Sequence, residues 1–287
     1  MPLTFALLGL AAIAAWGVAM TLPRWAEWPW RLLLLASGVA ALGEGLMDWR
    51  GVPVAMALWG TAHLYQRSHE RRVRLAWGAA ALLLAGALAT HRLPGFAPHV
   101  VAESIRLSAA SAEMSLKANY DKALAGVLLL ACFCARARPG SDWLRATGIG
   151  VLVGAATAAV VVGLAIAAGA VRYDPKLPSI TPAWMAINLV LTCLFEEALF
   201  RGVFQHRLAR MVADRPRLTW LPLAAASVLF GLAHAGGGPV LIVVASIAGV
   251  GYGLAYAMTG RIEAAIVAHF TLNSIHFLGF TYPYAVR

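Results

Sequence analysis

Ten predominantly apolar runs, separated by short polar or proline-bearing breaks, set the pattern of this chain. They lie near Leu3–Leu22, Leu32–Met47, Val52–Tyr65, Leu75–Thr90, Ala123–Ala135, Thr147–Val171, Ala183–Leu208, Leu218–His234, Val240–Met258 and Ile262–Phe280. A helix that crosses the hydrocarbon core needs about 20 apolar residues, within a range of about 17–25. Several early runs are shorter, which fits re-entrant or tilted segments, so the pattern predicts about eight to ten spans. Pro23, Pro94, Pro98, Pro139, Pro175, Pro178 and Pro182 fall between runs, where a missing N–H removes no helical hydrogen bond. Gly236-Gly237-Gly238-Pro239 separates two runs and predicts a tight turn. In the longest polar stretch, His91 to Lys122, the positions Val101, Ile105, Ala109, Ala112 and Leu116 recur at helical spacing and predict a short interfacial helix. The expected fold is an all-α, polytopic transmembrane helix bundle, with no internal repeat and no soluble domain.

Composition sharpens this. Of 287 residues, 61% are hydrophobic and 13% charged, about half the roughly 25% of a soluble domain, and the mean hydropathy is +0.73. That excludes a soluble globular enzyme, a disordered chain and a collagen-like repeat. The net charge of +10 comes from 23 Lys and Arg against 13 Asp and Glu. These basic residues fall mainly between apolar runs, so anionic lipid headgroups explain them more simply than nucleic acid does. On a ten-span count, the loops carrying Arg67, Arg71, Arg72 and Arg74, then Arg136, Arg138 and Arg145, then Arg207, Arg210, Arg215 and Arg217 are odd-numbered and face the cytoplasm. No Lys or Arg precedes Leu3, so the first run reads as a retained membrane helix rather than a cleaved signal peptide. Cys132, Cys134 and Cys193 lie in apolar runs and read as packed small hydrophobes, with neither a disulfide nor a zinc spacing.

The two halves differ in chemistry. Up to about residue 145 the runs hold few ionisable groups, chiefly Glu44 and His63. From Ala183 onward, Glu196, Glu197, Arg201, His234, His269 and His276 fall within or at the ends of runs, where an ionisable side chain costs about 2.5–3.5 kcal/mol to insert. On an α-helix Glu197 and Arg201 share a face and suit an ion pair. Glu196 points about 100° away, so it is expected to lie apart from that counter-ion, with the raised pKa of a general base. The same doublet also reads as a structural Glu–Arg network. Phe230 and His234 share a helix face just before the Gly-rich turn, and a lone His there is more often a C-cap or core residue. His269 and Asn273 lie one turn apart on one face, as two donors of an oxyanion hole or as partners in interhelical hydrogen bonds. His276 continues that face as a secondary or structural residue. Together, a carboxylate, two His and an Asn on three apolar segments supply a base, a water holder and oxyanion donors for metal-free hydrolysis.

Glu196-Glu197-x-x-x-Arg201, Phe230-x-x-x-His234 and His269-x-x-x-Asn273 are similar, in order, to the three motifs of the CPBP family. These are intramembrane glutamic endopeptidases, including type II CAAX prenyl endopeptidases and bacteriocin-processing or self-immunity proteins. The resemblance covers about residues 183–280. It implies Glu196 as the base that activates water, His234 as a holder of that water, and His269 with Asn273 as the oxyanion hole. It implies that Glu197, Arg201 and Phe230 shape the site, and that no cofactor or metal is needed. It implies a catalytic bundle over 146–287, and N-terminal membrane helices of unassigned role over 1–145. The implied partner is a membrane-associated peptide or protein at the lipid bilayer: a prenylated tail, a leader or a C-terminal sorting signal. The implied location is a bacterial inner membrane.

Three rival readings use the same residues. Glu196, His234 and His269 are legitimate zinc ligands, although no His-Glu-x-x-His motif is present. Intramembrane Glu, His and Arg also line the pathways of ion-coupled carriers, which would favour an internal repeat. A non-catalytic immunity or scaffold protein would bind a peptide through this cluster without cutting it.

Overall fold

The computed structural model describes residues 2–17, 28–138 and 140–286. Among them the apolar runs form ten helices: α1 (Leu3–Gly17), α2 (Trp28–Gly43), α3 (Gly51–Arg67), α4 (Arg71–Ala89), α5 (Tyr120–Phe133), α6 (Ser141–Ala167), α7 (Thr181–Met211), α8 (Leu221–Ala233), α9 (Pro239–Thr259) and α10 (Ile262–Gly279). The expected end of the first run, with Pro23, and the break at Pro139 lie outside the described residues. Five helices are long and apolar enough to cross a bilayer: α4, α6, α7, α9, and α8 with the turn before it. The remaining five have 14 to 18 residues. Helix α6 exposes Val151, Leu152, Val160, Leu164 and Ile166, a liability in water but an ordinary lipid face in a bilayer. The protein is an all-α, integral membrane bundle.

Two expectations about breaks fare differently. The turn at Gly236-Gly237-Gly238-Pro239 forms as a 3-10 turn, Ala235–Gly237, followed by Gly238 at φ +87°, with Pro239 opening α9. The interfacial helix does not form. His99–Ile105 and Met114–Ala118 instead make a two-stranded sheet, β1 and β2. Two physical features override the helical spacing there. Val100 and Val101 are β-branched, and pairing of β1 with β2 satisfies the backbone groups across the sheet rather than within a helix.

The chain divides into two compact units. The first comprises Met1–Val101, Lys117–Cys134 and Val190–Leu199. In it Glu44 accepts the Leu3 and Thr4 amides at 2.7 and 3.2 Å, which satisfies the open start of α1. Helix α5 is buried throughout Ala123–Leu130, so its 14 residues need not span lipid. Gly126 lets it lie against the α7 segment: a Cβ there would meet Leu194 at 3.0 Å and the Phe195 backbone at 3.2 Å.

The second unit comprises Ala102–Leu116, Ala135–Leu189 and Phe200–Arg287. Small residues set its helix spacing, as expected where lipid supplies no hydrophobic drive between helices. A Cβ on Gly150 or Gly154 of α6 would come within 2.7 Å of the Ala264 or 2.6 Å of the Ala268 carbonyl of α10. On α9, Gly251 faces Thr157 of α6, while Gly249 and Gly253, one turn apart, face α8 and the second half of α7. The C-terminal tail closes this unit, with the Ala112 and Val286 amides donating to Tyr284 and Ala110.

Candidate active site

Helix α7 carries the acidic doublet and is not a uniform α-helix. Asn188–Cys193 and Ala198–Gln205 are π-helical, and Leu194–Glu197 between them is α-helical. Such wide turns are uncommon and recur at functional sites. The stretch from Glu197 to Arg201 is therefore largely π-helical. Glu197 and Arg201 are both fully buried.

Glu196 lies in the first unit, where it meets a cation other than Arg201, one that the helix-face reading did not foresee. Its Oε1 is 2.7 Å from Nζ of Lys122 on α5, with the two side chains only 12% and 18% exposed. Lys122 also sits 5.4 Å from the Phe195 ring centroid. One residue earlier, the buried Asp121 accepts the Lys122 amide at 2.7 Å and pairs with His91 Nδ1 at 2.9 Å. A cation from the chemically quiet half of the sequence thus reaches the acidic doublet. Its sequence signal was slight, since a Lys at the edge of an apolar run reads as an interfacial side chain whose head seeks water.

The second unit brings together Arg201, Phe230, His234 and His269. Arg201 donates from Nη2 to the Gly249 carbonyl at 2.7 Å, and Gln205, one turn on, donates to the Gly253 carbonyl at 2.9 Å. The guanidinium carbon lies 4.7 Å from the Phe230 ring centroid and 5.4 Å from that of Tyr252. Phe230 meets His234 at 4.7 Å and meets His269 edge to face at 5.7 Å. His269, 5% exposed, stacks on Tyr252 at 4.4 Å with only 13° between the planes. Tyr252 thus packs on a candidate site residue, which sequence reasoning missed; its signal was an aromatic between Gly251 and Gly253 in an apolar helix.

His234 ends α8, as the C-cap reading expected, and its Nδ1 donates to the Phe230 carbonyl at 2.8 Å. That bond places the proton on Nδ1 of the neutral ring and leaves Nε2 as an acceptor, the form that can hold a water. Asn273 donates to Asn188 Oδ1 at 3.2 Å, which aims the Asn273 amide from α10 toward α7. Asn188 was legible as a polar residue inside an apolar run, yet nothing in its spacing tied it to Asn273. His276 bonds the Thr281 carbonyl at 3.2 Å and holds the tail, a structural role. Among the described residues, no group of three or more His, Cys, Asp or Glu is placed to hold a metal ion.

The family model of type II CAAX prenyl endopeptidase Rce1-like proteins matches residues 178–275. All three motifs lie inside that segment. Over this third of the chain, the protein is CAAX-protease-like. That segment is similar to the CAAX prenyl endopeptidases, and it lies among helices long and apolar enough to cross a bilayer. No curated protein and no solved structure is significantly similar to the chain.

Proposed function

We propose that this protein is a metal-independent glutamic endopeptidase that cuts a peptide bond in a membrane-associated substrate. The observation that carries the reading is that Glu196, His234, His269 and Asn273 all fall within the segment similar to the CAAX endopeptidases. Glu196 takes a proton from water, and the resulting hydroxide attacks the scissile carbonyl. His234 holds the water through Nε2. His269 and Asn273 donate to the oxyanion of the tetrahedral intermediate. Glu196 then returns the proton to the leaving nitrogen as the C–N bond breaks, releasing a new carboxyl and a new amine. Arg201, Glu197 and Phe230 shape the site, with Arg201 held between rings and a glycine carbonyl.

Catalysis belongs to residues 146–287, and the N-terminal membrane helices over residues 1–145 carry no assigned role in this reading. The substrate class is a prenylated tail, a leader or a C-terminal sorting signal, and the setting is a bacterial inner membrane. The test is co-expression of wild type or Glu196→Gln with a tagged library of membrane-anchored tails, read as new termini by mass spectrometry. Termini that require Glu196 establish the endopeptidase and name its substrate class. Identical termini from both proteins, with the variant inserted and stable, overturn it in favour of a carrier or scaffold. Cleavage that persists in a strong chelator supports metal independence, and cleavage that the chelator abolishes overturns that part.

A further inference from the structure

We infer that Lys122 on α5 is a positioning residue for Glu196, an assignment that rests on the protease reading above. Lys122 lies outside the segment that matches the family model. Three features fix it in place. Gly126, one turn further along α5, allows the close approach to Leu194 and Phe195 that carries Lys122 to Glu196. Asp121 pins the start of α5 through the Lys122 amide and His91. The Phe195 ring lies beside the ammonium group. The 2.7 Å bond to Oε1 then fixes the rotation of the carboxylate, which decides where its proton-accepting lone pairs point. A part-buried Lys–carboxylate pair repays its desolvation poorly as a stabiliser, so its place next to the proposed base fits a positioning task better than a structural one.

The test uses the full-length protein in lipid vesicles with the tail most efficiently cleaved in a Glu196-dependent way from the pooled prenylated, leader and sorting tails. Initial rates against tail concentration are compared for wild type, Lys122→Met, Lys122→Arg, Glu196→Gln and the Glu196→Gln/Lys122→Met double variant. Lys122→Met should lower kcat by up to about 10²-fold with KM little changed. Lys122→Arg, which keeps the charge, should recover most of that loss. Adding Lys122→Met to Glu196→Gln should lower the residual rate no further, since both act through one carboxylate. A thermal midpoint for each variant separates misfolding from misplacement. Should Lys122→Met lose folding outright, the Lys122→Arg rate and the double variant carry the comparison. Wild-type kcat in Lys122→Met, a loss confined to KM, or a further loss in the double variant each overturns the role of Lys122 alone. A Glu196→Gln rate within about tenfold of wild type overturns the reading of Glu196 as the base, and the role of Lys122 with it.

Discussion

In the first unit a carboxylate is fixed by a charge, Glu196 by Lys122 at 2.7 Å; in the second an imidazole is fixed by ring faces, His269 by Tyr252 at 4.4 Å and Phe230 at 5.7 Å. The two devices suit different duties. A proposed base must present an anionic oxygen in a fixed direction, and a cation held on another helix orients it while offsetting part of its desolvation. A proposed oxyanion donor must stay aimed, and an aromatic stack locks the plane of its ring. The apparent poverty of the first half in chemical groups was therefore misleading. One lysine at the edge of a run reaches the acidic doublet.

Removing the charge-held group is expected to be the most damaging change. Glu196→Gln should lower kcat by about 10²–10⁴-fold in purified, vesicle-reconstituted protein, and a loss smaller than tenfold would remove it from the role of base. Removing a ring-side donor comes next: Asn273→Ala should cost about 10²–10³-fold, mostly in kcat. An effect confined to KM would instead make Asn273 a substrate contact or an interhelical bond to Asn188. Packing is the next level. Gly154→Val drives a side chain into the Ala268 backbone of the helix that carries His269 and Asn273, and should destabilise the protein by about 1–3 kcal/mol. A thermal midpoint equal to wild type would mean that α6 and α10 do not rely on that close approach. Tyr252→Leu removes the stack on His269 and should cost about 0.5–1.5 kcal/mol, with a moderate fall in kcat that added salt does not change. A salt-sensitive deficit would show that charge, not ring contact, is what holds this region.

The smallest effect concerns the loop before α7. The Ser108 hydroxyl, and then Lys176, hold the Asp174 carboxyl below the usual carboxylate range. A depressed folded-state pKa stabilises above the ordinary Asp value of about 3.9 and is lost as pH falls through the folded-state value. The gap in thermal midpoint between wild type and Asp174→Asn should therefore be constant near neutrality and shrink in strong acid. A gap that widens on acidification would contradict this linkage.

Much of the architecture was legible in the residues. Continuous apolar runs force helices in a bilayer, because every backbone polar group must be satisfied within its own segment, and α1 to α10 follow the ten runs. The three motifs were legible because ionisable groups are costly inside such runs and so stand out against them. The interfacial helix was misread because spacing alone cannot weigh β-branched valines and a partner strand that satisfies the backbone. The Lys122 partner of Glu196 was not foreseen because the helix-face inference compared only neighbours along one helix. The sequence by itself thus determined a helical membrane protein and its acidic, His and Asn residues, through the cost of polar groups in hydrocarbon. Only the tertiary structure decided that α7 carries π-helical turns, that Lys122 meets Glu196, and that Tyr252 lies on His269. Those depend on how closely helices approach, which small residues such as Gly126, Gly249 and Gly253 permit but do not direct.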